Sequence, residues 1–219
     1  MKKIILFLSL LFLVVASQAQ EQRFINEIRY FKKLDSLKFP PKNAILFIGS
    51  SSFTRWKDVG DYFPKHTIIN RGFGGSSLPD VINYVPDIVF PYDPKQVVIY
   101  CGENDFTAKG GIEASVVVDR VKELVALIRT KYPKIPIAYV SIKPSPSREQ
   151  YFPKMKEANA AIKKWMKKKK RNLKFINVYD AMFNEDGKLK DIFVEDKLHM
   201  NAQGYAIWQK IMEPYLLKN

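Results

Sequence analysis

Five short apolar runs punctuate the chain, and between them apolar residues recur at helical spacing. The runs are AILFIG (44–49), TIIN (67–70), QVVIYCG (96–102), IPIAYVSI (135–142) and LKFINVY (173–179). Most of their residues are apolar at consecutive rather than alternating positions, the pattern of strands buried on both faces. Four other segments carry a single apolar stripe. Residues 21–38 place Phe24, Ile28, Phe31 and Leu34 on one face, and 112–131 place Val117, Val121, Leu124, Val125 and Ile128. Residues 151–170 do so with Met155, Ala158, Ile162, Trp165 and Met166. A last helix from about Ala202 carries Tyr205, Trp208, Ile211 and Met212, and Pro214 should kink or end it. Buried strands alternating with amphipathic helices predict an α/β fold. The expected form is a three-layer α/β/α sandwich around a parallel five-stranded doubly wound sheet.

The amino terminus breaks this rhythm. MKK precedes the uncharged run IILFLSLLFLVVA, and then the small-x-small site Ser17-Gln18-Ala19. This is the pattern of a secretory signal peptide over residues 1–19, too short in its apolar part for a comfortable membrane span. The expectation is one domain over 20–219, exported to a periplasmic or extracellular location, with no transmembrane anchor after cleavage. No cysteine lies near the cleavage site, so lipid attachment there is not expected.

Export permits disulfides, but the single cysteine, Cys101, has no partner within the chain. At the end of an apolar run it reads as a small buried hydrophobe. The formal net charge of +14 falls by two when Lys2 and Lys3 leave with the signal. The densest basic run is KKWMKKKKRNLK, 163–174, which reads first as a solvated helix end and second as a weak attraction to anionic surfaces. No nucleic-acid recognition motif accompanies the charge, so no nucleic-acid partner is expected. There is no paired-histidine motif or cysteine cluster, and neither metal nor organic cofactor is expected.

In a doubly wound sheet, ligands sit beyond the carboxyl ends of the strands near a topological switch point. The loops on that rim hold Gly49-Ser50-Ser51-Ser52, then NRGFGGSS with Gly72, Gly74 and Gly75, then GENDF with Asn104, and finally DKLHMNAQGY. Each has a plain alternative when taken singly: a helix cap, a tight turn, or a structural histidine. Together they hold what acyl transfer requires, namely a hydroxyl nucleophile, a histidine base, an acid to orient it, and oxyanion donors. Asp196 and His199 lie three apart, so one helical turn would set both on one side.

The four blocks, in this order, resemble those of the SGNH hydrolase superfamily, the GDSL-like esterases and lipases. FIGSSS is similar to its Gly-Asp-Ser block, with Ser51 in the nucleophile's place. NRGFGG is similar to the second block, GENDF to the Gly-x-Asn-Asp block, and DKLHMNAQGY to the closing Asp-x-x-His block. In style the chain is nearest the platelet-activating-factor acetylhydrolase-like subgroup. The resemblance implies a flavodoxin-like sheet, a triad of Ser51, Asp196 and His199, and an oxyanion hole from Ser51, Gly75 and Asn104. Ser50 stands where the family has aspartate, which leaves the local bonding of that turn, and the choice among Ser50, Ser51 and Ser52, open. The Gly-x-Ser-x-Gly elbow of α/β-hydrolases is absent.

The implied activity is an exported serine esterase acting through an acyl-enzyme on Ser51, with a small-molecule, lipid or glycan ester as substrate. A compact member of this kind leans towards short acyl groups such as O-acetyl. Phe53, Phe73 and Phe106, with Trp56, are placed beside the rim as candidates to line an acyl or sugar site, or else as core. Two other functions stay open: a non-catalytic glycan- or lipid-binding protein on this fold, and an acyltransferase using the same triad.

Overall fold

The structure is a computed structural model describing residues 23–108, 111–169 and 172–218. The expected signal peptide lies outside the described residues. The chain divides into two units at Phe39–Pro40. The first contains helix α1 (Ile25–Leu37), within the segment whose spacing predicted it.

The second unit, Pro40–Asn219, holds the sheet. Its strands are β1 (Ile45–Gly49), β2 (Ile68–Gly72), β3 (Gln96–Tyr100), β4 (Ile137–Val140) and β5 (Leu173–Ile176). All neighbours pair in parallel, in the order β2-β1-β3-β4-β5. Each of the five apolar runs therefore contains a strand, and the doubly wound expectation holds. The chain steps from β1 outward to β2, then crosses back to β3 on the other side. Loops leaving β1 and β3 thus diverge, and the crevice between them is the switch point where ligands bind in such sheets.

Alternate residues of each strand face opposite layers. Ile45, Phe47, Val98, Tyr100, Ala138, Val140 and Ile176 join a core with Phe53, Trp56, Trp208 and Met212. Leu46, Ile48, Val97, Ile99, Ile137 and Tyr139 face the other way and are equally buried. On that second side lie α4 (Leu78–Asn83), α6 (Ala114–Lys131) and α7 (Phe152–Lys169), with α6 packed on both of the others. Helix α8 (Ala202–Met212) supplies Trp208 to the first core, and Pro214 falls in the single 3-10 turn that ends it, Glu213–Tyr215. The remaining helices, α2 (Ser51–Thr54), α3 (Val59–Tyr62) and α5 (Val85–Ile88), are too short to leave a periodic signature.

Trp208 is wholly buried, with its ring 4.9 Å from Tyr100 and 6.3 Å from Phe53. Replacing it with alanine should cost about 3–5 kcal/mol, the usual range for an emptied aromatic site. Urea unfolding checks this, and a loss below about 1 kcal/mol would contradict the packing.

Candidate active site

The turn after β1 is set by Gly49. Its φ is +131°, and a Cβ there would sit inside the van der Waals radius of the Tyr100 carbonyl oxygen. Only glycine lets the chain pass this close to β3. Ser50 N–H then donates to that same carbonyl at 2.9 Å, and Ser51 opens α2. Ser50 and Ser52 are buried, whereas Ser51 is partly exposed. Beneath the turn lies an aromatic bed. Phe53 lies 4.7 Å from Phe47 with the rings tilted, Trp56 lies 4.8 Å from Tyr205, and the Tyr205 hydroxyl donates to the Ser52 carbonyl at 2.9 Å. Helix α8 thereby fastens the serine turn from below.

The last block comes over the same turn. Ser51 Oγ lies 2.8 Å from His199 Nε2, and His199 Nδ1 lies 2.6 Å from Asp196 Oδ2. The other carboxylate oxygen, Asp196 Oδ1, accepts the N–H of Leu198 at 2.9 Å and of His199 at 2.8 Å. Partial burial pushes the Asp196 carboxyl up. The bonds from His199 and Leu198 outweigh that and hold it well below the usual carboxylate range. An ionised Asp196 fixes the proton on Nδ1, leaving Nε2 to accept from the Ser51 hydroxyl. The arrangement can carry a proton from Ser51 to the imidazole.

The local backbone differs from the expected helical turn. Residues 196–199 form a non-helical turn folded around Asp196 Oδ1, with Lys197 in the left-handed region at φ +54°. A lysine there costs about 1 kcal/mol, so bonds from outside the segment matter. Ser147 N–H donates to the Lys197 carbonyl at 3.0 Å, and Val194 N–H to that of His199 at 2.8 Å. The other histidine, His66, is structural: its ring nitrogens lie 3.0 Å from Glu213 Oε1 and 3.1 Å from the Leu217 carbonyl.

Gly75 and Asn104 reach the same crevice. Phe73 N–H donates to the Gly49 carbonyl at 2.8 Å, docking the glycine loop beside the serine turn. A Cβ on Gly74 would lie 3.8 Å from Ser51 Cβ, and Gly75 takes a φ of +83°. Asn104 Nδ2 donates to Ser50 Oγ at 2.9 Å and to the Ser76 carbonyl at 3.0 Å. Asn104 is therefore engaged by the serine turn itself and by the glycine loop beside it. Ser50, in the place of the family's aspartate, is the acceptor that orients this amide. Asp105 anchors the loop from behind, accepting Leu78 N–H at 2.9 Å and Arg120 Nη1–H at 2.7 Å.

The aromatic candidates must be corrected. Phe53, Trp56 and Phe73 have no exposed surface and Phe106 has 1%. Phe53 and Trp56 belong to the bed under α2, Phe73 meets Tyr84 edge-on at 5.9 Å, and Phe106 stacks on Tyr151 at 6.4 Å. They hold loops in place and do not line a substrate surface. Cys101 is buried, with its thiol pushed well up by burial. Among the described residues no group of three or more histidine, cysteine or acidic side chains could hold a metal ion, and no helix is long and apolar enough to cross a membrane.

Four polar residues at the site were not foreseen. Arg55 Nη2 lies 3.7 Å from Asp196 Oδ2. Glu103, Lys143 and Ser145 form a buried cluster behind Asn104. The available signal was position: Glu103 and Lys143 each follow a buried strand on the rim where sites form.

The model of the GDSL-like lipase/acylhydrolase family matches residues 40–207, most of the chain and every block of the site. A search of curated proteins returned no match. Solved structures share the fold at low identity. A protein from Streptococcus pneumonia named for platelet activating factor is 22% identical, covering 93% of this chain and 99% of its own, with a TM-score of 0.76. A GDSL-like lipase from Bacteroides thetaiotaomicron is 24% identical, covering 88% and 97%, with a TM-score of 0.73. An acetyl xylan esterase is 18% identical, covering 79% and 99%, with a TM-score of 0.63. With its parallel sheet, its rim of four loops and a family match across all of them, the chain belongs to the GDSL-like lipase/acylhydrolase family.

Proposed function

We propose that this hydrolase is an exported serine esterase that removes short acyl groups, such as O-acetyl, from glycan or lipid esters. The observation that carries the reading is the continuous relay Ser51–His199–Asp196, with contacts of 2.8 and 2.6 Å. Ser51 Oγ attacks the ester carbonyl while His199 Nε2 takes its proton. The imidazolium, oriented by Asp196, then gives that proton to the departing alkoxide, leaving an acyl-enzyme. Water repeats the sequence in reverse roles and frees the acid. The developing oxyanion is held by the N–H groups of Ser51 and Gly75 and by the Asn104 amide, which releases one of its present acceptors to do so.

Support for a small acyl group comes from the likeness in fold to an acetyl xylan esterase. The amino-terminal pattern of basic start, apolar run and Ser17-Gln18-Ala19 supports export. Exposed lysines on α7, among them Lys163, Lys164, Lys167 and Lys168, would favour association with anionic surfaces.

Hydrolysis of p-nitrophenyl esters of increasing chain length, and acetate release from acetylated xylan, test the substrate class. The expected result is a kcat/KM that falls steadily from acetate to dodecanoate. A rise towards long chains would refute the short-acyl reading while leaving the hydrolase intact. On the best short ester, Asn104→Ala should lower kcat about 10²- to 10³-fold with little change in KM, the effect of a lost oxyanion donor. A change confined to KM would assign Asn104 to binding instead.

A further inference from the structure

The geometry points to Lys143 as a positioning residue for the relay, a buried cation that ties the His199 loop to the Asn104 loop. The inference rests on the serine-esterase reading for its kinetic consequence, but not for its structural one. Lys143 stands three residues beyond the end of β4 and has no exposed surface. Its Nζ donates to the Leu198 carbonyl at 2.7 Å and to Glu103 Oε1 at 3.1 Å. Leu198 immediately precedes His199, and Glu103 immediately precedes Asn104. Glu103 is in turn fixed from two sides, accepting the Tyr100 hydroxyl at 2.7 Å and that of Ser145 at 3.2 Å. One ammonium thus joins the loops after β3 and β4 to the turn that carries the histidine.

Stability alone is a poor account of this cluster. A buried ion pair gives up hydration for its attraction, and well-packed apolar residues often serve the fold as well. Burial pulls the Lys143 ammonium down, and Glu103 opposes that. What an apolar residue could not do is hold a carbonyl at a fixed distance. The 196–199 turn needs such a hold, because Lys197 sits in the left-handed region, and the bonds from Ser147 and Val194 reach the Lys197 and His199 carbonyls while Lys143 holds that of Leu198 between them. A relay of two contacts tolerates little displacement, since about 1 Å of misplacement costs on the order of 10²-fold in rate.

The test uses Lys143→Met, and the double variant Lys143→Met with Glu103→Gln, which leaves no lone buried charge. Val121→Ala, buried on α6, is the comparison for lost stability alone. Each is measured well below its unfolding temperature. Two quantities are read: kcat and KM on p-nitrophenyl acetate, and the downfield proton resonance of His199 Nδ1–H. The expected result is a fall in kcat of about 30- to 100-fold with KM little changed. The resonance should be broadened or moved, while Val121→Ala preserves both. A kcat and resonance that match the comparison variant would overturn the proposal. Failure of both lysine variants to fold where Val121→Ala folds would also overturn it, assigning the pair to stability. If the parent protein cleaves no ester, the esterase reading fails alone, and the resonance still decides the role of Lys143.

Discussion

Replacing Ser51 with alanine is expected to lower kcat on the best ester by about 10⁵- to 10⁶-fold, with the fold unchanged. Ser51 is partly exposed and opens a four-residue helix whose seat is made by Phe53 and Trp56, so losing one oxygen disturbs no packing. The effect is therefore chemical. His199→Ala should be about as severe, and the double variant should be no worse than either single, because the serine and histidine act as one unit. Asp196→Asn should cost less, about 10⁴-fold, since it leaves the ring in place and upsets only which nitrogen carries the proton. Single-turnover and steady-state rates on p-nitrophenyl acetate check all four proteins. Additive losses in the double variant would mean that the 2.8 Å contact between Ser51 and His199 is not the working one.

The second large effect falls on folding. Gly49→Ala should remove the native state at 37 °C or leave it barely populated. The added methyl meets the Tyr100 carbonyl, a backbone atom with no rotamer to turn away, at a φ of +131° that alanine strongly disfavours. Relief would require β1 and β3 to part where Gly49 pairs with Tyr100, and where Ser50 N–H bonds the same oxygen. The penalty should exceed about 4 kcal/mol, a large share of the 5–15 kcal/mol typical of a whole domain. Gly60→Ala is the matching comparison, because a Cβ there meets nothing within 4 Å. Circular dichroism and urea unfolding should show Gly60→Ala close to the parent and Gly49→Ala unfolded. A Gly49→Ala protein melting within about 3 °C of the parent, roughly 1 kcal/mol for a domain of this size, would contradict the account of the turn.

The sheet was legible because parallel strands are buried on both faces, and short runs of consecutive apolar residues such as Ile45 to Ile48 are what such burial requires. The site was legible as a set of residues because the switch-point rule places the loops after β1 and β3 together, whatever lies between them in sequence. Side-chain direction within loops was not. Phe53 and Phe73 stand two residues from the candidate site positions Ser51 and Gly75, yet the turns that expose those positions aim both rings at the core. Periodicity settles such questions in strands and helices, and short loops have none.

The buried charges were not legible, for a related reason. Lys143 follows β4 as a solvated loop lysine would, and its burial depends on Glu103, forty residues earlier, and on the Leu198 carbonyl far later in the chain. No local pattern encodes such a meeting. The same holds for Asn104, whose amide is turned by Ser50 from across the crevice. The Asp196–His199 spacing suggested helix, but a carboxylate that accepts two successive N–H groups folds the turn around itself instead.

The central claim is that Ser51 is an activated nucleophile. Labelling of the purified protein with a fluorophosphonate, followed by peptide mapping, tests it most directly. The account predicts a single adduct on Ser51 that disappears in both Ser51→Ala and His199→Ala. Absence of any adduct on the folded protein, or an adduct on Ser50 or Ser52, would contradict it.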